Sequence, residues 1–317
     1  MKTSAFRSFE VRVPASTANL GAGFDCFGLA LKLYLTVQAT LQSGWDACTI
    51  VRSSGVPGSS DLPSAPDENL ILRAMRHAAD RENFKLPPMH LTVRNEIPIG
   101  GGLGSSAAAI VAGITLAFAV CGRKMPEQTA LRLAADLEKH TDNLSAALLG
   151  GLVVSFALDG GNVVALRKKW PREIRVIAVT PKMSLATDAS RAALPKTIEH
   201  ADAVHNLQRS ALLLAALEAG RYDLIWDAMQ DRLHHSYRQA LIPGLADALS
   251  IPRMPGLLGV ALSGAGPSVV ALATANFKKI GSELARQFQR NGPKVTIRNL
   301  EVDQKRLHVT RKTRAPR

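Results

Sequence analysis

The sequence predicts an α+β protein of two domains. Three observations lead there. The chain has 317 residues, 46% of them hydrophobic and 21% charged, which is more than one typical domain and enough to bury a core. Each half runs through short strand-like segments interleaved with helical ones. Glycine-rich loops stand at the ends of three of the strand-like segments, at residues 14–25, 98–106 and 263–268.

In the first half, Phe9–Val13 alternates with period two, and Leu31–Leu41 (LKLYLTVQATL) continues that pattern. Residues 53–67 are rich in Gly, Ser and Pro and read as a loop. Leu70, Leu72, Ala74, Met75, Ala78 and Ala79 then suit a helix over 69–83. Leu91–Val93 is a short strand. After Ser105 an alanine-rich helix runs to about Cys121, and a second runs from Glu127 towards His140. Gly150-Gly151 breaks the chain before a strand at 152–158. Gly160-Gly161 and the basic stretch 167–175 place a boundary, giving domains of 1–166 and 167–302 and a basic tail of 303–317. The second half reads as a buried strand at 174–180, helices at 201–219 and 223–235, and strands at 257–262 and 269–273. A helix at 277–290 and a last strand at 294–300 complete it.

The net charge is +13. Six bases stand in the tail (Lys305, Arg306, Arg311, Lys312, Arg314, Arg317), and Arg167, Lys168, Lys169, Arg172 and Arg175 form a second cluster. With 9 Phe, 3 Trp and 3 Tyr, the chain lacks the interleaved aromatics that stack single-stranded bases, so no nucleic-acid partner is expected. The runs read as a solvated face and a frayed tail, and the remaining balance suits a small acidic ligand. Cys26, Cys48 and Cys121 have neither metal-ligand spacing nor a disulfide pattern, which points to a reducing, cytoplasmic compartment. The longest apolar run, Ala107–Cys121, is interrupted by Gly113 and Thr115 and falls short of the ~20 residues a membrane helix needs.

The chemistry lies in the glycine loops. Ile97-Pro98-Ile99-Gly100-Gly101-Gly102-Leu103-Gly104-Ser105-Ser106 leads straight into a helix. Glycine allows close backbone approach, and the first-turn amides of a helix, on the positive end of its dipole, attract anions. Hydroxyls at that mouth suit phosphate oxygens or Mg²⁺. The loop is not a Walker A motif, because GxxxxGK[ST] is absent, and Gly21-Ala22-Gly23 lacks the third glycine of the dinucleotide fingerprint. Residues 14–25 (PASTANLGAGFD) and 262–268 (LSGAGPS) each bring further glycines to a strand end, as if one site were assembled from distant segments.

These residues resemble the GHMP kinase superfamily. Its phosphate loop, P-x-x-x-G-L-G-S-S-A, is matched by Pro98 through Ala107, and its late glycine motif by Ser263 through Ser268. Within the superfamily the chain looks like the homoserine kinases. Pro14 through Asp25 fits their P-A-(S/T)-x-A-N-L-G-x-G-F-D, and Glu138-Lys139-His140-Thr141-Asp142-Asn143 followed by Leu148-Leu149-Gly150-Gly151 is similar to their E-G-H-P-D-N-…-L-L-G-G. Lys139, Thr141 and Leu144-Ser145-Ala146 depart from that pattern; the polar positions stay. The likeness spans about residues 9–300.

The resemblance implies a two-domain GHMP kinase fold, with an N-terminal ribosomal-protein-S5-domain-2-like ATP domain and a C-terminal ferredoxin-like domain. It implies a homodimer that phosphorylates the side-chain hydroxyl of L-homoserine with MgATP, in threonine biosynthesis. A GHMP kinase for another small alcohol, mevalonate or a sugar, is the alternative. ATP would be held by residues 98–107, with Asn69, Gly264 and Gly266. Mg²⁺ would be held by Ser105 or Ser106 together with Glu138 or, second, Asp136. Arg191 and Arg238 would take the substrate's carboxylate, since guanidinium pairs bidentately with it, and Asp25 its ammonium. Asn19, Asn143 and His140 would hold the hydroxyl. Asn143 stands where relatives use an aspartate base, so direct proton transfer to a phosphate oxygen is expected, with Asp142 as the rival base.

Overall fold

The longest alternations build the longest strands. In a computed structural model, residues 6–42, 48–55, 63, 67–290 and 292–313 are described. β1 (Phe6–Ala18) and β2 (Phe27–Leu41) pair antiparallel from Ser8–Thr40 to Ala18–Gly28. Phe9, Val11 and Val13 point into the core while Arg12 faces solvent, as period two requires. β3 (Cys48–Gly55) follows, then α1 (Leu70–Arg81), β4 (Met89–Asn95) and α2 (Ser105–Val120). α2 is buried almost all round from Ala107 to Val120, as a run whose only polar side chain is Thr115 demands. α3 (Glu127–Leu137), α4 (Thr141–Leu149), β5 (Leu152–Ala157) and β6 (Val163–Lys168) complete the first half.

The second half opens with β7 (Arg175–Pro181), α5 (Thr187–Ala192) and α6 (His200–Ala219). Three short helices follow: α7 (Ile225–Ala228), α8 (His235–Arg238) and α9 (Leu245–Leu249). The chain ends with β8 (Leu257–Leu262), β9 (Val269–Ala273), α10 (Phe277–Arg290), β10 (Val295–Leu300) and β11 (Val309–Thr313). Among the described residues the strands form two sheets. One has the order β11-β1-β2-β4-β3, with β5 branching from β2 and carrying β6; the other is β10-β7-β9-β8. Among the described residues only β3–β4 is a parallel pair. α2 and α4 pack on the first sheet with α1 against α2, and α10 and α9 pack on the second, each group over its own apolar core.

Several expectations are corrected. A single helix over 223–235 does not form: a 3₁₀ turn (Tyr222–Leu224) and α7 stop at Ala228, because the Asp231 carboxylate takes the amides of Leu233, His234 and His235 and turns the chain. The helix expected to reach His140 ends at Leu137, with Glu138 extended, and α4 starts afresh at Thr141. β3 occupies the start of the expected loop; most of that loop lies outside the described residues. The basic stretch 167–175 contributes the end of β6 and the start of β7, so the chain passes between sheets within 169–174. The segment 303–313 is not a frayed tail. Asp303 is buried and donates its amide to Ala30, and β11 pairs with β1. Arg314 and Arg317 lie outside the described residues. No helix among the described residues is long and apolar enough to cross a membrane.

Candidate active site

The three glycine loops meet. Gly102 and Gly104 hold left-handed backbone (φ 75° and 70°), and a side-chain carbon on either would collide: with the carbonyls of Gly266 and Ser263 at 2.6 and 2.7 Å for Gly102, and with Ser16 Oγ at 2.2 Å for Gly104. The hydroxyl of Ser263 donates to the Gly102 carbonyl (2.6 Å) and can accept from Thr17 Oγ1 (2.8 Å), and that of Ser268 donates to the Gly101 carbonyl. Gly264 donates its amide to the Ala18 carbonyl, and Asn19 Nδ2 donates to the Gly264 carbonyl, both at 3.2 Å. Gly104 is the residue before α2, whose first-turn amides have no acceptor inside the helix. These loops line one cleft that opens to solvent.

Charged groups converge on the same cleft. Arg191, on α5, donates through Nη2 to Asp25 Oδ1 (2.5 Å) and to His140 Nδ1 (2.6 Å). Burial and the Arg191 charge push the His140 pKa down, which keeps the imidazole neutral and able to accept that bond. Arg238, on α8, is 1% exposed. Its Nη1 donates to the Gly264 carbonyl and to His234 Nδ1, both at 3.0 Å, and its Nε to the Ser190 carbonyl at 3.3 Å. Burial lowers its pKa to about 10, and it stays a cation at neutral pH. Asp142 is 2% exposed, and burial raises its carboxyl to about 7 although Oδ1 accepts the Asn143 amide at 2.6 Å. Asn143 Oδ1 accepts from Ser16 Oγ at 2.8 Å. Glu138 accepts from Ser106 Oγ at 2.7 Å, and burial raises its pKa. Hydroxyl and carboxylate are hard-oxygen donors, a set that fits Mg²⁺ beside a phosphate loop.

Comparisons with known proteins show the family. The family model for the N-terminal domain of GHMP kinases matches residues 69–151, and that for the GHMP kinase C-terminal domain matches 213–290. A homoserine kinase of Solibacter usitatus is 39% identical over 96% of this chain and 97% of its own. One from Deinococcus radiodurans is 43% identical over 84% and 85%. The chain belongs to the homoserine kinase family of GHMP kinases. The crystal structure of homoserine kinase from Cytophaga hutchinsonii superposes with a TM-score of 0.85 at 27% identity, covering 96% of this chain and 98% of that one.

Set against the motifs of the homoserine kinase family, the cleft gathers Asn19, Asp25, Pro98, Gly100, Gly101, Gly102, Gly104, Ser105, Ser106 and Ala107. Glu138, His140, Asp142, Asn143, Arg191, Arg238, Gly264 and Gly266 line it too. Four expected residues stand elsewhere. Asp136 pairs with His77 at 3.0 Å and Arg81 at 3.4 Å on the flank of α1, away from the cleft and from Ser106. Asn69 caps α1, its Oδ1 accepting the amides of Ile71 (3.0 Å) and Leu72 (3.3 Å). Ile99 is exposed beside the cleft, and Leu103 is buried beneath it with its carbonyl accepting the Ser16 amide. Sequence reasoning passed over Phe24, whose ring lies 5.6 and 5.5 Å from the guanidinium carbons of Arg191 and Arg238. Its place beside Asp25 in the first motif was the available signal. Thr187 also lines the cleft, and it sits one helical turn before Arg191 on α5.

Proposed function

We propose that the chain transfers the γ-phosphoryl group of ATP to the side-chain hydroxyl of L-homoserine, giving O-phospho-L-homoserine for threonine biosynthesis. One observation carries the reading: Asp25 and the guanidinium groups of Arg191 and Arg238 share a single cleft with the glycine loop and the start of α2. A zwitterion fits that set. Its carboxylate replaces Asp25 as a partner of Arg191, and its ammonium replaces Arg191 as a partner of Asp25, so neither group of the 2.5 Å ion pair is stranded. Mevalonate carries no ammonium and would leave Asp25 unpaired.

The glycine loop and the α2 amides hold the phosphates. Mg²⁺, when bound by Ser106 and Glu138, neutralises phosphate charge. Phosphoryl transfer is largely positioning and charge neutralisation. The hydroxyl oxygen forms a bond to the γ-phosphorus, the bond from that phosphorus to the β–γ bridging oxygen breaks, and ADP departs. Asn19 and Asn143 orient the hydroxyl, and its proton passes to an oxygen of the transferred phosphoryl group. Asp142 as base is the second reading, favoured by a cleft-lining carboxyl raised to about 7. A homodimer in the cytoplasm belongs to the same proposal, and sedimentation velocity checks the assembly.

The test is a coupled ADP-release assay with L-homoserine, mevalonate, galactose and L-serine. L-Homoserine is expected to support turnover well above the others, and Asp25→Asn to raise the KM for homoserine far more than that for ATP. Equal turnover with mevalonate would overturn the substrate.

A further inference from the structure

Behind the cleft lies a buried polar cluster that phosphoryl transfer itself does not use: Asp231, His234, His235 and Asn206. The Asp231 carboxylate accepts the amides of His234 (2.8 Å) and His235 (2.7 Å) through Oδ2, and that of Leu233 (3.1 Å) and Asn206 Nδ2 (2.8 Å) through Oδ1. That fixes the backbone of the turn into α8. Asp231, His234 and His235 approach one another closely enough to suggest a metal site. Their lone pairs are committed elsewhere. His234 Nδ1 accepts from Arg238 while its Nε2 donates to the Gly21 carbonyl at 3.0 Å, and His235 Nε2 accepts the Leu262 amide at 3.2 Å.

His234 is therefore a strut with one nitrogen on each half of the substrate pocket. Nε2 holds the 19–25 loop, which carries Asn19 and Asp25; Nδ1 holds the guanidinium of Arg238. Its ring also stacks on Phe24, with centroids 5.0 Å apart. The bonds require the neutral Nε2–H tautomer. Full burial favours that state, pushing the His234 pKa down to about 3. With His234, Gly264 and Ser190 taking the N–H groups of Nη1 and Nε, the two on Nη2 have no protein partner among the described residues, and Arg238 lines the cleft.

We infer that His234 is a positioning residue that aims Arg238 at the substrate's α-carboxylate and sets its spacing from the ammonium site at Asp25. This rests on the reading of Arg238 as a carboxylate receptor. An asparagine amide reaches the place of the imidazole Nδ1, and a glutamine amide that of Nε2. His234→Asn thus keeps an acceptor for Arg238, whereas His234→Gln keeps only the bond to Gly21.

The experiment compares the KM for L-homoserine with the inhibition constant of 3-aminopropan-1-ol, the same amino alcohol without the carboxylate. In His234→Gln the KM for L-homoserine rises about 10-fold, the loss expected for one hydrogen bond to a charged group, while the inhibition constant and the KM for ATP stay put. His234→Asn stays within about 3-fold of the wild type, less than the loss of one such bond. A KM and an inhibition constant that rise together, or equal loss in both variants, would mean that the imidazole only fills space and would overturn the inference. In the wild-type protein, ¹⁵N shifts of the His234 ring should report the Nε2–H tautomer from pH 6 to 8; an Nδ1–H tautomer overturns the inference independently of any variant's folding. Absence of wild-type turnover with L-homoserine would instead overturn the substrate reading on which it stands.

Discussion

At the scale of the residue, Asp142 is where the two readings of proton loss can be told apart. Its carboxylate accepts the amide of Asn143, so a role in holding that asparagine is enough to explain it. Asp142→Asn is then expected to lower kcat about 10-fold or less, whereas removal of a general base costs roughly 10²–10⁴-fold. The same variant has a stability signature. Because burial raises the folded pKa to about 7, the folded protein keeps the proton over a range where the unfolded chain has lost it. The stability this group contributes is complete below the ordinary carboxyl range, declines as pH rises, and is gone above about 7. Asparagine does not titrate. The melting temperature of Asp142→Asn relative to the wild type should therefore become more favourable between pH 5 and pH 8, as read by thermal denaturation across that range. A constant difference would show that the carboxyl is not raised.

At the scale of the element, the phosphate loop works because three separate strand ends close on it. Gly102→Ala would drive a methyl against the carbonyls of Gly266 and Ser263, and Gly104→Ala against Ser16 and Asn143. Gly161 has a similar left-handed backbone (φ 83°) with open space around it, so Gly161→Ala isolates the backbone strain of roughly 1–2 kcal/mol. Calorimetry is expected to show nucleotide affinity falling at least 10-fold in the first two variants, about 1.4 kcal/mol, and unchanged in Gly161→Ala. Equal effects in all three would mean that the loop tolerates the side chains. This contrast also explains what sequence made legible. Glycines followed by serines at a strand end are local signals, and so were the strands at 9–13 and 31–41. The hydroxyls of Ser16, Ser263 and Ser268, which bind the loops together, have partners distant in the chain and no local mark. Arg191 and Arg238 were found through motif context. Arg238's partner His234 was not, because a histidine in a presumed helix from 223 to 235 gives no sign that an aspartate three residues earlier breaks that helix. β6 and β11 were hidden by the bases they carry, which read as solvated runs.

At the scale of the whole molecule, the two cores lie on opposite faces of the second sheet, and the C-terminal segment ties that sheet back to the first. After β10 in the second sheet the chain returns to the first. Val302 and Asp303 are buried, the Asp303 carbonyl accepts the Gly151 amide at 2.7 Å, and Leu307 donates its amide to Leu148 at 3.1 Å. Gln304 bonds Trp170 in both directions, at 2.8 and 3.3 Å, and Arg306 pairs with Glu127. Lys305, Arg306, Arg311 and Lys312, four of the bases read as a frayed tail, thus lie along a segment stitched to α3, α4 and the 169–174 connection, with β11 covering the edge of β1. An open edge of that length invites aggregation. Truncation after Leu300 removes all of these bonds and exposes Gly150-Gly151, which end α4, the helix whose first turn holds Asp142 and Asn143. At about 1 kcal/mol for each hydrogen bond and 2–4 °C for each kcal/mol, the melting temperature should fall on the order of 10 °C. Homoserine-dependent turnover should fall with it, and soluble yield should drop. Truncation after Thr313 leaves every described pairing in place and should change none of the three. A Leu300 truncation that melts with the wild type would show that this segment is ornamental to the fold, and that the basic C-terminus is free for another partner.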